Sequence, residues 1–220
     1  MSLEQLREIV CDANKALVRH GLVKLYSGNA SGLDRTAGRL VIKPSGVPYD
    51  TLTPDDLVEV DLVTGKVVAG KLRPSVDLPH HLYIYRNLPG VNGVVHTHSN
   101  YASAWAASER PIPVCLTSIA DQFGAEIPCT PYVDNEDDHI GEAIIRHRNR
   151  APAILLGHHG AFTWGPSVTD ALQAAVVLED VAKTAFLAAQ LGELRSLPPQ
   201  EVRKWYDKYH HGYGQKADCP

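Results

Sequence analysis

Apolar positions along this chain change period several times, and each change marks an element. Leu6, Ile9, Val10, Ala13, Leu17 and Val18 recur at the spacing of one helical face, and Gly21 follows as a stop. Ser2 and Gln5, ahead of them, have the spacing of a capping box. Short strand-like runs come next at Leu25-Tyr26, 40–42, 57–61 and 66–68, with Thr64-Gly65 suited to a hairpin between the last two. The pattern then predicts a helix over 78–88, a strand over 91–97 and a helix-like stretch over 102–108. Pro-rich loops lead to a helix over 136–148, a buried strand over 153–156 and its hairpin partner at 161–164. Ser167 and Asp170 cap the longest helix, running to about Gly192. A short helix follows Pro198-Pro199, and the tail at 212–215 reads as extended. Short strands joined by tight turns, with helices between them, predict an α/β fold of α/β/α layers. Its centre is a mostly antiparallel sheet flanked by helices, in a single domain over 1–220.

Composition narrows the class. Hydrophobic residues make up 44% of the chain and charged residues 21%, and the net charge is −4. With no block of basic residues, a sequence-independent nucleic-acid binder is excluded. The most apolar stretch, 171–191, is interrupted by Glu179, Asp180 and Lys183, so no membrane span is expected. The first residues lack the basic-then-apolar order of a signal peptide. The cysteines Cys11, Cys115, Cys129 and Cys219 are scattered, and none forms a C-x-x-C pair. A cytoplasmic protein with reduced thiols is the expectation.

The candidate chemistry starts from His96-Thr97-His98, at the end of an apolar run. In a strand, residues i and i+2 share a face, so both imidazoles can serve one metal if a third ligand arrives from elsewhere. Gly157-His158-His159-Gly160, after the next buried strand, offers that ligand. Three neutral imidazoles with an open position suit Zn²⁺, with Mn²⁺ or Co²⁺ as alternatives, and such a metal can polarise a carbonyl. Asp77, before Leu78-Pro79, is read as a helix N-cap that could also face the metal as ligand or base. His80 and His81 could also be ligands, but their helical setting favours a surface role. The turns Ser27–Gly32 and Lys43–Gly46 bring backbone N–H groups, hydroxyls and one lysine, the parts of a phosphate cradle without the P-loop pattern. Asp121 is placed in a loop.

Taken in order, the segments 28–31, 42–47, 74–81, 94–99, 127–130, 159–165 and 213–215 resemble the class II aldolase/L-ribulose-5-phosphate 4-epimerase family, nearest its epimerase branch. The likeness runs from about residue 3 to Gln215. It implies a divalent metal, usually zinc, on His96, His98 and His159, with His159 preferred over His158. It also implies Asp77 as the acidic residue beside the metal, and Gly28, Asn29, Lys43, Ser45, Gly46 and Ser75 at the phosphate of a small sugar phosphate. Asp121 and Tyr213 correspond to an acid/base pair, with Tyr213 supplied by a neighbouring subunit of a homotetramer whose active sites lie between subunits. The implied reaction is 4-epimerisation of L-ribulose 5-phosphate to D-xylulose 5-phosphate, by breaking and re-forming the C3–C4 bond. The alternative is metal-dependent aldol cleavage of a sugar 1-phosphate or a related hydroxyketo compound. Val76 stands where the epimerases carry a second serine.

Overall fold

Of the 220 residues, the computed structural model describes 1–213. Eight strands form one sheet: β1 Asn29–Asp34, β2 Arg39–Ile42, β3 Val58–Asp61, β4 Val67–Ala69, β5 Gly93–Thr97, β6 Cys129–Thr130, β7 Ala153–Leu156 and β8 Gly160–Gly165. Their order across the sheet is β4-β3-β2-β1-β5-β8-β7-β6. The pairings are antiparallel apart from β6 with β7, which is parallel.

Alternation along the strands divides the core between the two faces. Leu40, Ile42, Val94, Ile154, Leu156 and Phe162 point to one side, where they pack with Leu82, Ile84, Tyr85, Ile140 and Ile144. Those partners come from α2 (Leu78–Asn87) and α5 (His139–His147). The intervening residues point to the other side. Val41 and Val95 meet Leu6, Val10 and Leu17 of α1 (Leu3–Arg19) and Val168, Ala171 and Ala175 of α6 (Val168–Leu191). Further along that side, Ala153, Leu155 and Ala161 pack with Trp105 of α3 (Asn100–Ala107), Phe123 of α4 (Thr117–Phe123), Leu178 of α6 and Val202 of α7 (Pro199–Gly212). This is the α/β/α arrangement expected from the pattern. Both caps form as well: Ser2 and Gln5 make a reciprocal capping box, and the Ser167 side chain accepts from the Asp170 N–H.

Several expectations need correction. The segment read as a glycine-rich turn is the inner strand β1 from Asn29 onward. Its small residues are a packing requirement: a β-carbon on Gly32 would stand 2.7 Å from Leu6 and Val168. Leu25-Tyr26 is a turn, with Leu25 at φ 54° and both side chains exposed. Asp121 lies within helix α4, not in a loop. Helix α5 begins at His139, three residues later than predicted. His80 and His81, read as surface residues, are 1% and 0% exposed because α2 turns that face onto the sheet. Gly212 still belongs to α7, and residues 214–215 of the expected extended tail lie outside the described residues.

Candidate active site

Strand register builds the site. Asn29 of β1 pairs with His96 of β5, and His96 in turn faces Phe162 of β8. The His96 ring stacks on the Phe162 ring, with centroids 4.4 Å apart and planes at 20°. Its Nδ1 is 3.0 Å from the Ala161 carbonyl oxygen, which can only accept, so Nδ1 carries the proton and Nε2 presents a lone pair. His98 is two residues on and on the same side, its Nε2 3.0 Å from that of His96. The β7–β8 turn brings His159 to within 5.0 Å of the His96 ring and 4.9 Å of the His98 ring. One nitrogen from each of the three lies within 4.8 Å of the others. Nitrogens on a tetrahedral zinc stand roughly 3.3 Å apart, so small side-chain adjustments would let these residues hold a divalent metal. His158 turns away at φ 59° toward Glu109, 3.5 Å distant, leaving His159 as the third imidazole.

Two glycines make the close approaches possible. A β-carbon on Gly160 would collide with the Thr97 carbonyl oxygen, and one on Gly28, at φ +74°, would sit 2.7 Å from the His96 carbonyl oxygen. Beyond His98, Glu179 of α6 accepts from the Tyr101 and Ala102 N–H groups at 2.9 Å each, capping α3 and fixing the chain after the ligand strand.

Asp77 stands at the N-cap position of α2, yet its carboxylate makes no capping bond. Oδ2 instead accepts from Asn29 Nδ2 at 2.6 Å and Ser75 Oγ at 3.3 Å. Burial pushes this carboxyl up, but the facing His96 and His81 rings and the Asn29 amide outweigh it and hold the group below the ordinary carboxylate value. The opposite holds for the imidazoles. Burial lowers His96 to about 4 and also lowers His98 and His159. All three are therefore neutral near pH 7, the form a metal needs. The buried Asn29 Oδ1 has no partner among the described residues, which leaves it free for a bound group.

These residues line a cleft of about 320 Å³, together with Ser27, Gly28, Lys43, Ser45, Gly46, Ser75, Val76 and Asn135. The sequence-predicted phosphate residues are thus brought to the histidines. Lys43 is buried, its Nζ 3.3 Å from the Pro44 carbonyl and 4.6 Å from the Tyr49 ring centre, and burial lowers its pKa. Tyr49 donates to the Ser27 and Gly28 carbonyls at 2.8 and 2.7 Å, bracing the turn under the cleft. Val76 is 70% exposed at the rim.

Asp121 and Tyr213 lie elsewhere. Neither lines the cleft. Asp121 is on α4 facing Lys208 and His210 of α7; partial burial pushes its carboxyl up against their pull. Tyr213, at the end of α7, is exposed and stacks on Tyr209 with centroids 5.1 Å apart. Asn135 and Tyr49 escaped the sequence reading because neither sits in a motif. Only their place in the fold marks them.

Residues 8–186 match the family model for the class II aldolase and adducin N-terminal domain. The chain belongs to that family. Solved structures of aldolases and of a putative aldolase/epimerase/decarboxylase are similar over most of the chain. An L-fuculose 1-phosphate aldolase is 26% identical with a TM-score of 0.85, covering 94% of this chain and 96% of its own. YgbL, a putative aldolase/epimerase/decarboxylase from Klebsiella pneumoniae, is 28% identical with a TM-score of 0.82, covering 93% and 99%. The L-fuculose-1-phosphate aldolase of Thermus thermophilus is 26% identical with a TM-score of 0.68, covering 84% and 94%. The match reaches the class II aldolase superfamily as a whole and does not single out its epimerase branch. Among the described residues, no helix is long and apolar enough to cross a membrane.

Proposed function

We propose that this chain is a divalent-metal-dependent class II aldolase that cleaves a ketose 1-phosphate. The observation that carries the reading is the convergence of His96, His98 and His159 with Asp77 and Asn29 in one cleft. A divalent ion on the three imidazoles would supply Lewis-acid charge to a carbonyl and to the negative charge that develops beside it. Asp77, held ionised, is the assigned base. It takes the proton from the substrate hydroxyl beside the breaking bond. That C–O becomes the aldehyde carbonyl, and the C–C electron pair passes to the ketone half, which takes up a proton. Hydrogen bonds from Asn29 and Ser75 hold the Asp77 carboxylate in place. Gly28, Lys43, Ser45, Gly46 and Ser75 are the proposed phosphate contacts, with one cation, two hydroxyls and backbone N–H groups. Similarity to the fuculose-phosphate aldolases supports this substrate class over a pentulose 5-phosphate.

The second reading is 4-epimerisation of L-ribulose 5-phosphate, favoured by the raised Asp121 carboxyl on the same α4–α7 face as Tyr213. In that reading both act on the cleft of a neighbouring copy in a homotetramer. Products separate the two. Protein loaded with Zn²⁺, Mn²⁺ or Co²⁺ is incubated with L-fuculose 1-phosphate and, separately, with L-ribulose 5-phosphate. Dihydroxyacetone phosphate and free lactaldehyde from the first are the expected result. D-xylulose 5-phosphate without free aldehyde would move the function to epimerisation, and no turnover of either would defeat both readings.

A further inference from the structure

His80, in the first turn of α2, is 1% exposed, and its ring holds the one residue that the segment between β6 and α5 contributes to the cleft. His80 Nε2 lies 2.5 Å from Asn135 Oδ1. The other ring nitrogen, Nδ1, is buried without a partner among the described residues. An unpaired buried lone pair is tolerated better than an unpaired buried N–H, so the proton belongs on Nε2. Nε2–H then donates to Oδ1, and the Asn135 amide is held with its NH₂ group without a partner among the described residues. Asn135 itself is exposed at the cleft wall.

The surroundings of that NH₂ group define what it can take. Asp134, Glu136, Asp137 and Asp138 flank Asn135 in sequence, and Asp134 is paired with His139 at 2.6 Å, which holds its carboxyl below the ordinary value. The carboxylates that flank Asn135 in sequence disfavour a phosphate beside it, although their exposure screens the effect. A neutral amide donor beside them suits a neutral oxygen. We propose that Asn135 forms the subsite for the uncharged, hydroxylated half of the substrate, donating from Nδ2 to a hydroxyl, and that His80 is its positioning residue. This rests on the aldolase reading and deepens it: the phosphate then belongs to the ketone half, and the released aldehyde is neutral and carries a hydroxyl beside its carbonyl.

Two measurements test the proposal. The first is kinetic. Metal-loaded protein condenses dihydroxyacetone phosphate with glycolaldehyde, acetaldehyde or glycolaldehyde phosphate. Glycolaldehyde is expected to be preferred over both of the others in kcat/KM. Asn135→Ala and His80→Phe should each shrink the glycolaldehyde-to-acetaldehyde ratio roughly tenfold, the worth of one neutral hydrogen bond. His80→Gln, which keeps a donor, should restore most of it. A ratio unmoved by Asn135→Ala, or a preference for glycolaldehyde phosphate, overturns the proposal. The second is independent of turnover. Nitrogen-15 NMR of the metal-loaded protein should show His80 as the Nε2–H tautomer, and the Asn135 side-chain amide should shift with glycolaldehyde and not with acetaldehyde. The Nδ1–H tautomer, or an amide indifferent to glycolaldehyde, overturns it. If no aldehyde is condensed at all, the aldolase reading falls, and the NMR result alone decides the role of Asn135 and His80.

Discussion

Two groups of candidate residues in this protein are built in different ways. The histidine cleft is made by strand register: Asn29 beside His96, His96 against Phe162, and His159 on the turn into β8. Its groups are mostly buried and hold one another through bonds such as the 2.6 Å contact of Asn29 with Asp77. Asp121 and Tyr213 lie on helices α4 and α7, half-buried or exposed, and face a solvent-side cluster around Lys208, Tyr209 and His210. The first group lines one cleft within a single chain. The second lines no part of that cleft among the described residues. In the proposed reading metal chemistry therefore belongs to the sheet ends, and the epimerase alternative would need a second copy to bring α4 and α7 to a cleft.

The largest expected effect breaks the cleft itself. His96→Ala should abolish stoichiometric metal binding, read by elemental analysis, and cut turnover by roughly a hundredfold to ten-thousandfold, since the charge it removes is worth several kcal/mol. Asp77→Asn comes next. It should keep the metal and lower kcat by about 10²- to 10⁴-fold, the usual worth of a general base. Loss of metal in this variant would instead make Asp77 a ligand. Asp121→Asn and Tyr213→Phe sharpen the other side of the comparison. Under the aldolase reading, each should leave cleavage of L-fuculose 1-phosphate within about tenfold, whereas an acid/base role would cost about 10²-fold or more.

A smaller effect is one of stability. His81 is fully buried, hydrogen-bonded to Ser31 Oγ at 2.7 Å, and lowered by burial to about 3. The unfolded chain takes up this proton near 6.5 and the folded chain resists it, so stability falls as pH drops from 6.5 toward 3. At pH 5 this one residue should cost about 2 kcal/mol relative to pH 8. Urea unfolding of the metal-free protein at both values measures the total pH effect, and His81→Gln should shrink it by about 2 kcal/mol, the remainder belonging to the other buried imidazoles such as His96. Least of all, Ser2→Ala should cost about 1 kcal/mol by removing the α1 cap, with no effect on metal content.

Much of the cleft was legible in the sequence because it sits on strands, where a spacing of two residues fixes a shared face. His96-Thr97-His98 needed only that rule, whereas the place of Asp77 before Leu78-Pro79 suggested a helix cap that its carboxylate does not make, and its position beside the histidines came from the family resemblance. What escaped depends on tertiary packing. β1 reads as a turn because Asn29, Ala30, Ser31 and Gly32 are small and polar. Ala30 and Gly32 are small because α1 and Val168 pack against them, while Asn29 and Ser31 are polar because they face Asp77, His81 and Tyr85 on the other side. His80 and His81 read as polar helix surface because imidazoles are polar. Their burial follows from the way α2 lies on the sheet, with Ser31 and Asn135 as partners. The α4 helix was missed for lack of a cap signal: Leu116 stands at its N-cap position and makes no side-chain bond there. The α/β/α layering survived these errors because it rests on the alternation of Leu40, Val41 and Ile42 and of Ile154 and Leu155, which no local misreading disturbs.

The most direct measurement of the central claim is metal content against cleavage activity in one titration. Protein stripped with a chelator should release no dihydroxyacetone phosphate from L-fuculose 1-phosphate. Adding Zn²⁺, Mn²⁺ or Co²⁺ should restore release in proportion to the ion bound, reaching a plateau at one ion per chain for the natural protein and none for His96→Ala. Full cleavage by the stripped protein, or metal uptake that His96→Ala leaves intact, would contradict the assignment of the three-histidine cleft as the place where the bond is broken.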